Sequence, residues 1–424
     1  MQTYTPELAP AVLQRLTGYA ALFAEDFPQS KPARWTGVYL QGLLLDGERK
    51  SMEPMARRVT LPPDLHAADV EQALQQFVNQ SPWDDQKVLR RYRAQMAPTF
   101  ASPQGIFVID DTSYPKQGQH SVGVQRQYCG ALGKKANCQA AVSVHYVSPT
   151  GHYPLALRLY LPVSWTSHHD RLRAAQVPLR FWGFRTKGQI ALDLLDQVRA
   201  EGLPGQVVVT DAGYGVSGPF REALAARGLF YLAGVTEETV AFPAAPVWLP
   251  PTAATGGRPR TAPHLDPQGP QPVTVKGLAA RTPLRRRTWR EGTKGKLSGR
   301  FAWVRVWPAS GWERGECAGA EPLWLLIEEQ ADGTLKYALS NLPPDTRPLR
   351  AVRLWKSRWP VEQGYQQMKE ELGLDHYEGR FWLGFHHHAC LVMLAYGFLA
   401  LEKQRLAPAE AKRTQGVKKK PIPA

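Results

Sequence analysis

The sequence predicts an α/β protein in which a mixed core follows a helical N-terminal region and is interrupted by a β-rich insertion. Three observations support this prediction. Residues 1–98 contain helix-length segments between proline or polar breaks, two short apolar runs each end in aspartate, and β-forming segments lie between the second run and the last helices. The 424 residues are enough for two to three domains with their own cores.

Five helices are predicted in the N-terminal region. Apolar residues recur at helical spacing within each segment, and proline or polar residues separate one segment from the next. The segments are Leu8–Phe23, Trp35–Leu44, Met52–Val59, Asp69–Phe77 and Asp84–Met96.

Two apolar runs that end in acidic residues mark the core. Ile106–Ile109 is followed by Asp110 and Asp111, and Val207–Thr210 is followed by Asp211. Such runs are typical of buried strands, and in open α/β sheets functional sites collect at strand ends. Single strand-end aspartates are often plain caps, but two of them favour a site.

The elements between and after these runs predict a specific fold. Two further strands come first, then a helix, the Asp211 strand, a second helix and a last strand. This order, β-β-β-α-β-α-β, is that of the ribonuclease H fold. The added segments are Gln139–Val147, Leu155–Leu161, Thr186–Glu201, Pro219–Arg227 and Leu229–Val235.

A β-rich insertion is predicted next. It begins with a proline- and glycine-rich stretch, Pro243–Pro272, and the tryptophans that follow sit among arginines. These tryptophans could stack an unpaired base, although packing of a small β core is the preferred interpretation. The predicted strands are Leu284–Arg290, Arg300–Trp307, Pro322–Glu328 and Tyr337–Ser340.

A third acidic residue, Glu362, lies on a predicted helix near the C-terminal end. Helical spacing puts Glu362, Tyr365 and Lys369 on one face, and Arg358 precedes Glu362 by four residues. Pro360 suits a first helical turn. A solvated amphipathic helix with i,i+4 charge pairs would also fit this pattern. The two upstream aspartate sites favour a catalytic face.

Three motifs together resemble those of DDE transposases of bacterial insertion sequences. They are Asp110-Asp111-Thr112, then Thr210-Asp211-Ala212-Gly213-Tyr214-Gly215, and then Trp355-x2-Arg358-x3-Glu362-x6-Lys369. The last is similar to the Y-R-E-K signature, with Trp355 in the tyrosine position. The run Asp111–Lys116, followed by His120–Gly123 and Gln127–Gly130, resembles the insertion-sequence 701 group in particular.

The resemblance implies a site of three carboxylates, Asp110, Asp211 and Glu362. They would bind two divalent ions, Mg²⁺ or Mn²⁺, whose hard character suits oxygen ligands. Asp111 is the alternative to Asp110, because neighbouring strand residues point to opposite faces and only one can be the principal ligand. Asp110 is preferred, since it continues the apolar strand directly.

The resemblance also implies which residues contact DNA. Arg358 and Lys369 would contact the phosphate backbone, and Tyr365 and Trp355 complete the expected DNA-binding set. The expected activity is binding of element ends, nicking, and transfer of the freed 3′ end to double-stranded target DNA by a homodimer. The alternatives are a metal-dependent nuclease or resolvase without strand transfer, and an inactive descendant that only binds DNA.

Five sections of chain are expected on this basis. Residues 1–98 would form a helical, DNA-binding domain, with a structural cap on the sheet as the alternative. Residues 99–235 and 322–400 would form the two parts of the ribonuclease H-like core. Residues 236–321 would form the insertion domain, and residues 401–424 a basic tail.

Composition agrees with a nucleic-acid partner. The formal net charge is +15, with 52 basic against 37 acidic residues, and lysine and arginine give salt-dependent affinity for phosphate backbones. No apolar run of membrane-spanning length and no signal segment is seen, so a cytoplasmic, nucleoid-associated protein is expected. The four cysteines lack a C-x-x-C spacing and are expected to be buried thiols.

Overall fold

The structure is a computed structural model that describes residues 7–251, 261–292 and 295–416, with side chains for all of these except 291, 292 and 408–416. The predicted tail beyond residue 416 lies outside the described residues, as do residues 252–260 of the proline- and glycine-rich stretch. The helices are α1 (Pro10–Ala21), α2 (Ser30–Leu44), α3 (Met52–Ala56), α4 (Val70–Asn79), α5 (Asp85–Phe100), α6 (Val163–Thr166), α7 (His169–Ala174), α8 (Lys187–Arg199), α9 (Ala212–Gly215), α10 (Gly218–Ala226), α11 (Val275–Ala279), α12 (Pro348–Lys356), α13 (Trp359–Glu370) and α14 (Trp382–Gly416).

The strands give the protein a mixed α/β character. They are β1 (Ile106–Pro115), β2 (Gln125–Cys129), β3 (Lys134–Val147), β4 (His152–Leu159), β5 (Val207–Thr210), β6 (Phe230–Val235), β7 (Val240–Phe242), β8 (Trp248–Leu249), β9 (His264–Leu265), β10 (Val273–Thr274), β11 (Arg285–Gly292), β12 (Gly295–Pro308), β13 (Leu323–Glu329) and β14 (Leu335–Ser340).

The chain divides into two compact units. The strand-rich unit consists of Ile106–Asp110 and Gln206–Trp359, and the helix-rich unit takes in Asp111–Gly205 together with the described residues before Ile106 and after Trp359. The division falls inside β1, between Asp110 and Asp111. Each unit is described by itself below.

The strand-rich unit is built on a mixed sheet. The beginning of β1, β5 and β6 run parallel, and β14, β13 and β12 extend the sheet beyond β6 in antiparallel pairs. Their inward side chains form an apolar core that includes Val235, Val306, Leu325 and Ile327. The strands predicted for a separate insertion therefore continue the sheet that carries Asp211, and the predicted domain boundaries stay a prediction.

The helix-rich unit combines the N-terminal helices, α8 and α14 with the antiparallel strands β2, β3 and β4. Side-chain caps fix where its helices begin. Asp69 accepts the Gln72 N–H at 3.0 Å at the start of α4, and Thr186 and Gln189 form a reciprocal capping box at the start of α8. The five predicted N-terminal helices are all present, with ends shifted by a few residues.

Helix α14 forms much of the interior of the helix-rich unit. Its residues from Ala389 to Ala395 are all buried. Among the described residues it is the one helix long and apolar enough to cross a membrane by length and composition, yet 78% of its most apolar window is buried. A buried core helix passes the same test, so the helix is weak evidence for a membrane span.

Three local features differ from the sequence prediction. Strand β1 continues through the polar residues Asp110–Ser113 to Pro115 instead of ending at Ile109, because Ser113 and Tyr114 are buried by neighbouring parts of the fold. Strand β2, which pairs with β3, was not predicted, since its alternating residues are mostly polar. Residues 212–215, for which the sequence predicts no helix, form the short helix α9.

Candidate active site

Asp110 and Asp211 lie at the same edge of the strand-rich sheet. Strands β1 and β5 are parallel neighbours, and the last pair in their register is Ile109 with Thr210. The residue after each of these is the aspartate, so the backbones of Asp110 and Asp211 follow side by side from strands about 4.8 Å apart. Asp110 is 9% exposed and Asp211 is half-buried.

The backbone around Asp211 is fixed by two glycines. Asp211 caps α9 by accepting the Gly213 N–H at 3.0 Å. One turn later Gly215 packs so closely on β6 that a Cβ would overlap the carbonyl oxygen of Gly234. A Cβ on Gly234 would lie 2.8 Å from the Ala212 nitrogen. Backbone therefore packs on backbone, and the position of Asp211 relative to β6 follows from the absence of side chains at both residues.

Arg358 provides a positive charge beside the aspartates. Its guanidinium lies 3.6 Å from an Oδ atom of Asp110, and both side chains are less than one-fifth exposed. Arg358 and Asp211 also line one cleft of about 510 Å³ together with Glu237, Lys336 and Trp355. This cleft gives Asp211 and Arg358 access to a ligand within the strand-rich unit.

Trp355 is anchored through its indole nitrogen. It is 8% exposed and donates its Nε1–H to Glu328 Oε2 at 2.7 Å, while Lys356 pairs with the other oxygen of the same buried carboxylate. The tryptophan thus has a hydrogen-bond donor where a tyrosine would have a hydroxyl. These contacts hold the end of α12 on β13, three residues before Arg358.

Asp111 has a different environment from Asp110. In the helix-rich unit it forms an ion pair with Lys187, which lies at the first position of α8. Neighbouring residues on a strand point to opposite faces, and the two aspartates accordingly have different basic partners, Arg358 and Lys187. The choice of Asp110 as the principal ligand stays a prediction.

Glu362 lies in the first turn of α13 and is exposed, in the part of the helix that belongs to the helix-rich unit. Pro360 occupies the first turn, as predicted. Lys369 donates to the Ser113 carbonyl oxygen at 3.0 Å, and burial lowers its pKa. Its ammonium therefore rests on the second half of β1.

Tyr365 faces the interior of the helix-rich unit. It is 8% exposed, its hydroxyl hydrogen-bonds Ser143 Oγ on β3, and its ring lies 5.0 Å from that of His145. Next to it, Gly364 packs on His152 so closely that a Cβ would overlap the imidazole. These contacts give Tyr365 a role in holding α13 on the strands below, and its contact with DNA remains a prediction.

The predicted site residues are divided between the two units. Asp110, Asp211, Arg358 and Trp355 share the strand-rich unit, whereas Asp111, Glu362, Tyr365 and Lys369 belong to the helix-rich unit. Among the described residues no three or more His, Cys, Asp or Glu side chains form a ready metal cluster. The pair Asp110 and Asp211 nonetheless offers the oxygen donors that Mg²⁺ and Mn²⁺ prefer.

Sequence reasoning missed three residues that hold the site residues. Glu328 and Ser143 lie far along the chain from Trp355 and Tyr365, and Glu328 was read only as part of a β segment. Lys187 follows the capping residue Thr186, and a lysine in a first helical turn is an unfavourable choice for the helix dipole. This unfavourable position of Lys187 was the one local sign that its side chain has an acidic partner elsewhere in the fold.

Comparison with known proteins agrees with this geometry. A family model described as DDE superfamily endonuclease matches residues 22–296, which include Asp110 and Asp211 and end before Glu362. The probable transposase for insertion sequence element IS701 from Microchaete diplosiphon is 29% identical over 214 residues, or 50% of this chain and 51% of that protein. The chain thus spans about half the length of this curated relative. The resemblance predicted from the motifs is confirmed, and the chain belongs to the DDE superfamily endonucleases.

Proposed function

We propose that the protein is a DNA transposase that binds the ends of its element, nicks a phosphodiester bond there and joins the freed 3′ end to target DNA. One observation carries the proposal: the β1 and β5 register puts Asp110 and Asp211 side by side, with Arg358 next to Asp110. The order of strands and helices supports a ribonuclease H-like core, and the name of the IS701 relative supports the reaction class.

Asp110, Asp211 and Glu362 would hold two divalent ions, Mg²⁺ or Mn²⁺. Bound ions of this kind activate an attacking oxygen and stabilise the leaving oxygen at phosphorus. The assignment of Glu362 rests on its spacing from Arg358 and Lys369 in the signature motif. Asp111 is the weaker candidate for the first ligand, because its ion pair with Lys187 is closer than the 3.6 Å contact between Asp110 and Arg358.

The basic residues would bind and orient the DNA. Arg358 presents a planar set of donors that suits two oxygens of one phosphate. When DNA is bound, the Arg358 guanidinium would exchange part of its 3.6 Å contact with Asp110 for contacts with the phosphate. Lys369 would hold the second half of β1 through the Ser113 carbonyl while its charge faces the backbone of the substrate.

Atoms balance in both steps of the reaction. In nicking, a water oxygen forms a bond to phosphorus, the bond to the 3′ oxygen breaks, and a 3′ hydroxyl and a 5′ phosphate remain. In joining, that hydroxyl forms a bond to a target phosphorus and releases a new 3′ hydroxyl on the target strand. The N-terminal helical region and the net charge of +15 support end binding, and coordinated cutting of two ends supports a dimer on DNA.

The test is a cleavage and joining assay with labelled duplex DNA that carries an end of the encoding element. Wild type, Glu362→Gln and Glu370→Gln are compared with Mg²⁺ and with EDTA. Glu370 is a matched control because it is an exposed glutamate two turns later on the same helix. We expect Glu362→Gln to lose at least about 100-fold in cutting rate, and Glu370→Gln to keep wild-type activity.

The products separate the alternatives. Cutting followed by joined products supports the transposase. Cutting without joining by wild type would instead identify a nuclease, and binding without cutting would identify an inactive descendant. Equal activity of Glu362→Gln and wild type would remove Glu362 from the site.

A further inference from the structure

Three arginines surround a small cleft in the helix-rich unit that is lined by none of the residues assigned above. Arg158 on β4, Arg180 and Arg185 line it, with Phe181 and Trp382 between them. The described residues that line the cleft include no carboxylate. The feature is therefore a concave surface with three guanidinium groups.

The positive charge of this cleft is only partly neutralised. Asp193 on α8 pairs with Arg158 and with Arg185, each at 3.2 Å. Arg180 forms no ion pair within the part of the chain that the structure describes, and its guanidinium stacks 4.8 Å from the centre of the Phe181 ring. The three guanidinium groups thus carry more positive charge than the single carboxylate of Asp193 neutralises.

Neighbouring groups respond to this excess charge. Burial lowers the pKa of Arg158, and the nearby Arg185 and Arg180 lower it further against the effect of Asp193. Burial lowers the pKa of His386 to about 4, and Arg158 and Arg180 contribute in the same direction. An anion in the cleft would relieve this mutual repulsion.

Aromatic contacts orient two of the three arginines before any ligand arrives. The Phe181 ring stacks on Trp382, which is 5% exposed, with centroids 4.9 Å apart. Arg158 lies 5.1 Å from the centre of the same ring. Asp193 and the aromatic pair restrict the Arg158 side chain, which is 17% exposed, so little of its side-chain entropy remains to be lost on binding, whereas Arg180 is exposed and stacks on the Phe181 ring.

The size of the cleft restricts its ligand. Its volume of about 30 Å³ accommodates one or two groups of the size of a water molecule. Phosphate oxygens fit this space. Arginine forks match two oxygens of one phosphate, and such a contact reads no base sequence.

We propose that Arg158, Arg180 and Arg185 form a binding site for one backbone phosphate of the DNA. This site adds a DNA contact to the proposed function, and the choice of DNA as the ligand rests on that function. It lies in the helix-rich unit, and it would fix the register of the duplex by a contact that is independent of the carboxylates.

The test pairs one arginine with one phosphate. Binding of labelled element-end duplex is measured by fluorescence anisotropy with Ca²⁺, from about 50 to 200 mM salt. Wild type is compared with Arg180→Gln and Arg173→Gln. Arg173 is the matched control: like Arg180 it is exposed and stacks on an aromatic ring, that of Trp182, but it pairs with Asp170 and does not line the cleft. A scan of duplexes with single neutral methylphosphonates locates the phosphate.

We expect Arg180→Gln to weaken binding about 10-fold and to reduce the slope of log K against log salt by about one. One methylphosphonate position should weaken wild type by a similar factor and leave Arg180→Gln unaffected. Equal losses for Arg180→Gln and Arg173→Gln, or no position that pairs with Arg180, would overturn the proposal.

A free anion is the other possible occupant. Thermal stabilisation of wild type but not of Arg180→Gln by inorganic phosphate, with no methylphosphonate effect, would assign the cleft to a free anion and overturn the DNA site. The proposed function is judged separately, because metal-dependent cutting by wild type can stand while this site fails.

Discussion

The two motif regions of this chain are held in place by different kinds of contact. Around Asp211 in the strand-rich unit, backbone packs on backbone, since Gly215 on α9 meets Gly234 on β6. Around α13 in the helix-rich unit, contacts with buried polar side chains hold the helix. The Tyr365 hydroxyl hydrogen-bonds Ser143, and Gly364 packs against the His152 ring.

The difference bears on how each region responds to change. A backbone contact has no rotamers and cannot move aside, so it tolerates no added atom. A side-chain contact can relax by rotation, but it depends on hydrogen bonds and on protonation. The Asp211 region should therefore be sensitive to volume, and the α13 region to chemistry and pH.

The largest expected effect is that of Gly215→Ala. Its methyl group would meet the Gly234 carbonyl oxygen, which cannot rotate away, so we expect a loss of about 3 kcal/mol in the free energy of unfolding. Urea titration followed by circular dichroism measures it. Gly277→Ala, whose nearest atom would be Thr274 Oγ1 at 3.4 Å, is the control and should cost little. Similar values for the two variants would contradict the backbone-contact account.

The second prediction concerns acid. Burial lowers the pKa of His152 to about 3, and burial together with His152 lowers the pKa of His145 well below its usual value. The unfolded chain protonates histidine near pH 6.5, about 3 units above folded His152. The stability that comes from the neutral histidines is therefore fully present above pH 6.5. Below pH 6.5 the free energy of unfolding decreases as the pH is lowered, by about 1.4 kcal/mol per pH unit for His152.

His152 stacks on His145 and hydrogen-bonds Tyr396 at 2.9 Å, so it stays neutral in the folded state, and its protonation after local opening should favour opening of the strands beneath α13 at low pH. Hydrogen exchange at pH 7 and pH 5, corrected for intrinsic rates, should show faster opening in β3 and β4 than in β12 and β13. The variant His152→Gln should reduce this pH dependence but not abolish it, because burial also lowers the pKa values of His386, His387 and His388 in the same unit to about 4. Uniform acceleration in both units would reject the assignment to these histidines.

The smallest expected effect is that of Tyr365→Phe. Loss of the hydroxyl leaves Ser143 Oγ without this partner in a buried site, at a cost of about 1 kcal/mol. A double-mutant cycle with Ser143→Ala isolates the pair and should give a coupling energy of about 1 kcal/mol. Strictly additive losses would mean that the two hydroxyls act independently. Tyr231→Phe, in the strand-rich unit, should show no coupling to Ser143→Ala.

The sequence predicts those parts of the fold that depend on local pattern. The N-terminal helices follow from apolar periodicity with capping residues such as Asp69, and the strand before Asp211 follows from its run of valines. The polar second half of β1 and the strand β2 were missed, because their pairing depends on burial by distant segments. The four cysteines are buried free thiols, as expected.

The candidate site shows the same limit. Asp110, Asp211 and Arg358 were predicted from motifs, and the structure places them in one unit. The hydrogen-bond partners of Trp355 and Tyr365 were not predictable, since Glu328 is 27 residues from Trp355 and Ser143 is 222 residues from Tyr365. Single-sequence patterns contain no information on such pairs. These pairs accompany the burial of Trp355 and Tyr365.

The doubled aspartate on β1 makes the site respond unequally to shifts of the strand. Asp110 faces Arg358, and Asp111 faces Lys187. Loss of one residue upstream in the strand would bring Asp111 to the position opposite Arg358, so that a carboxylate would still be presented there. Gain of one residue would bring Ile109 to that position and leave Arg358 opposite an apolar side chain. The pair therefore protects the first carboxylate against a slip in one direction only.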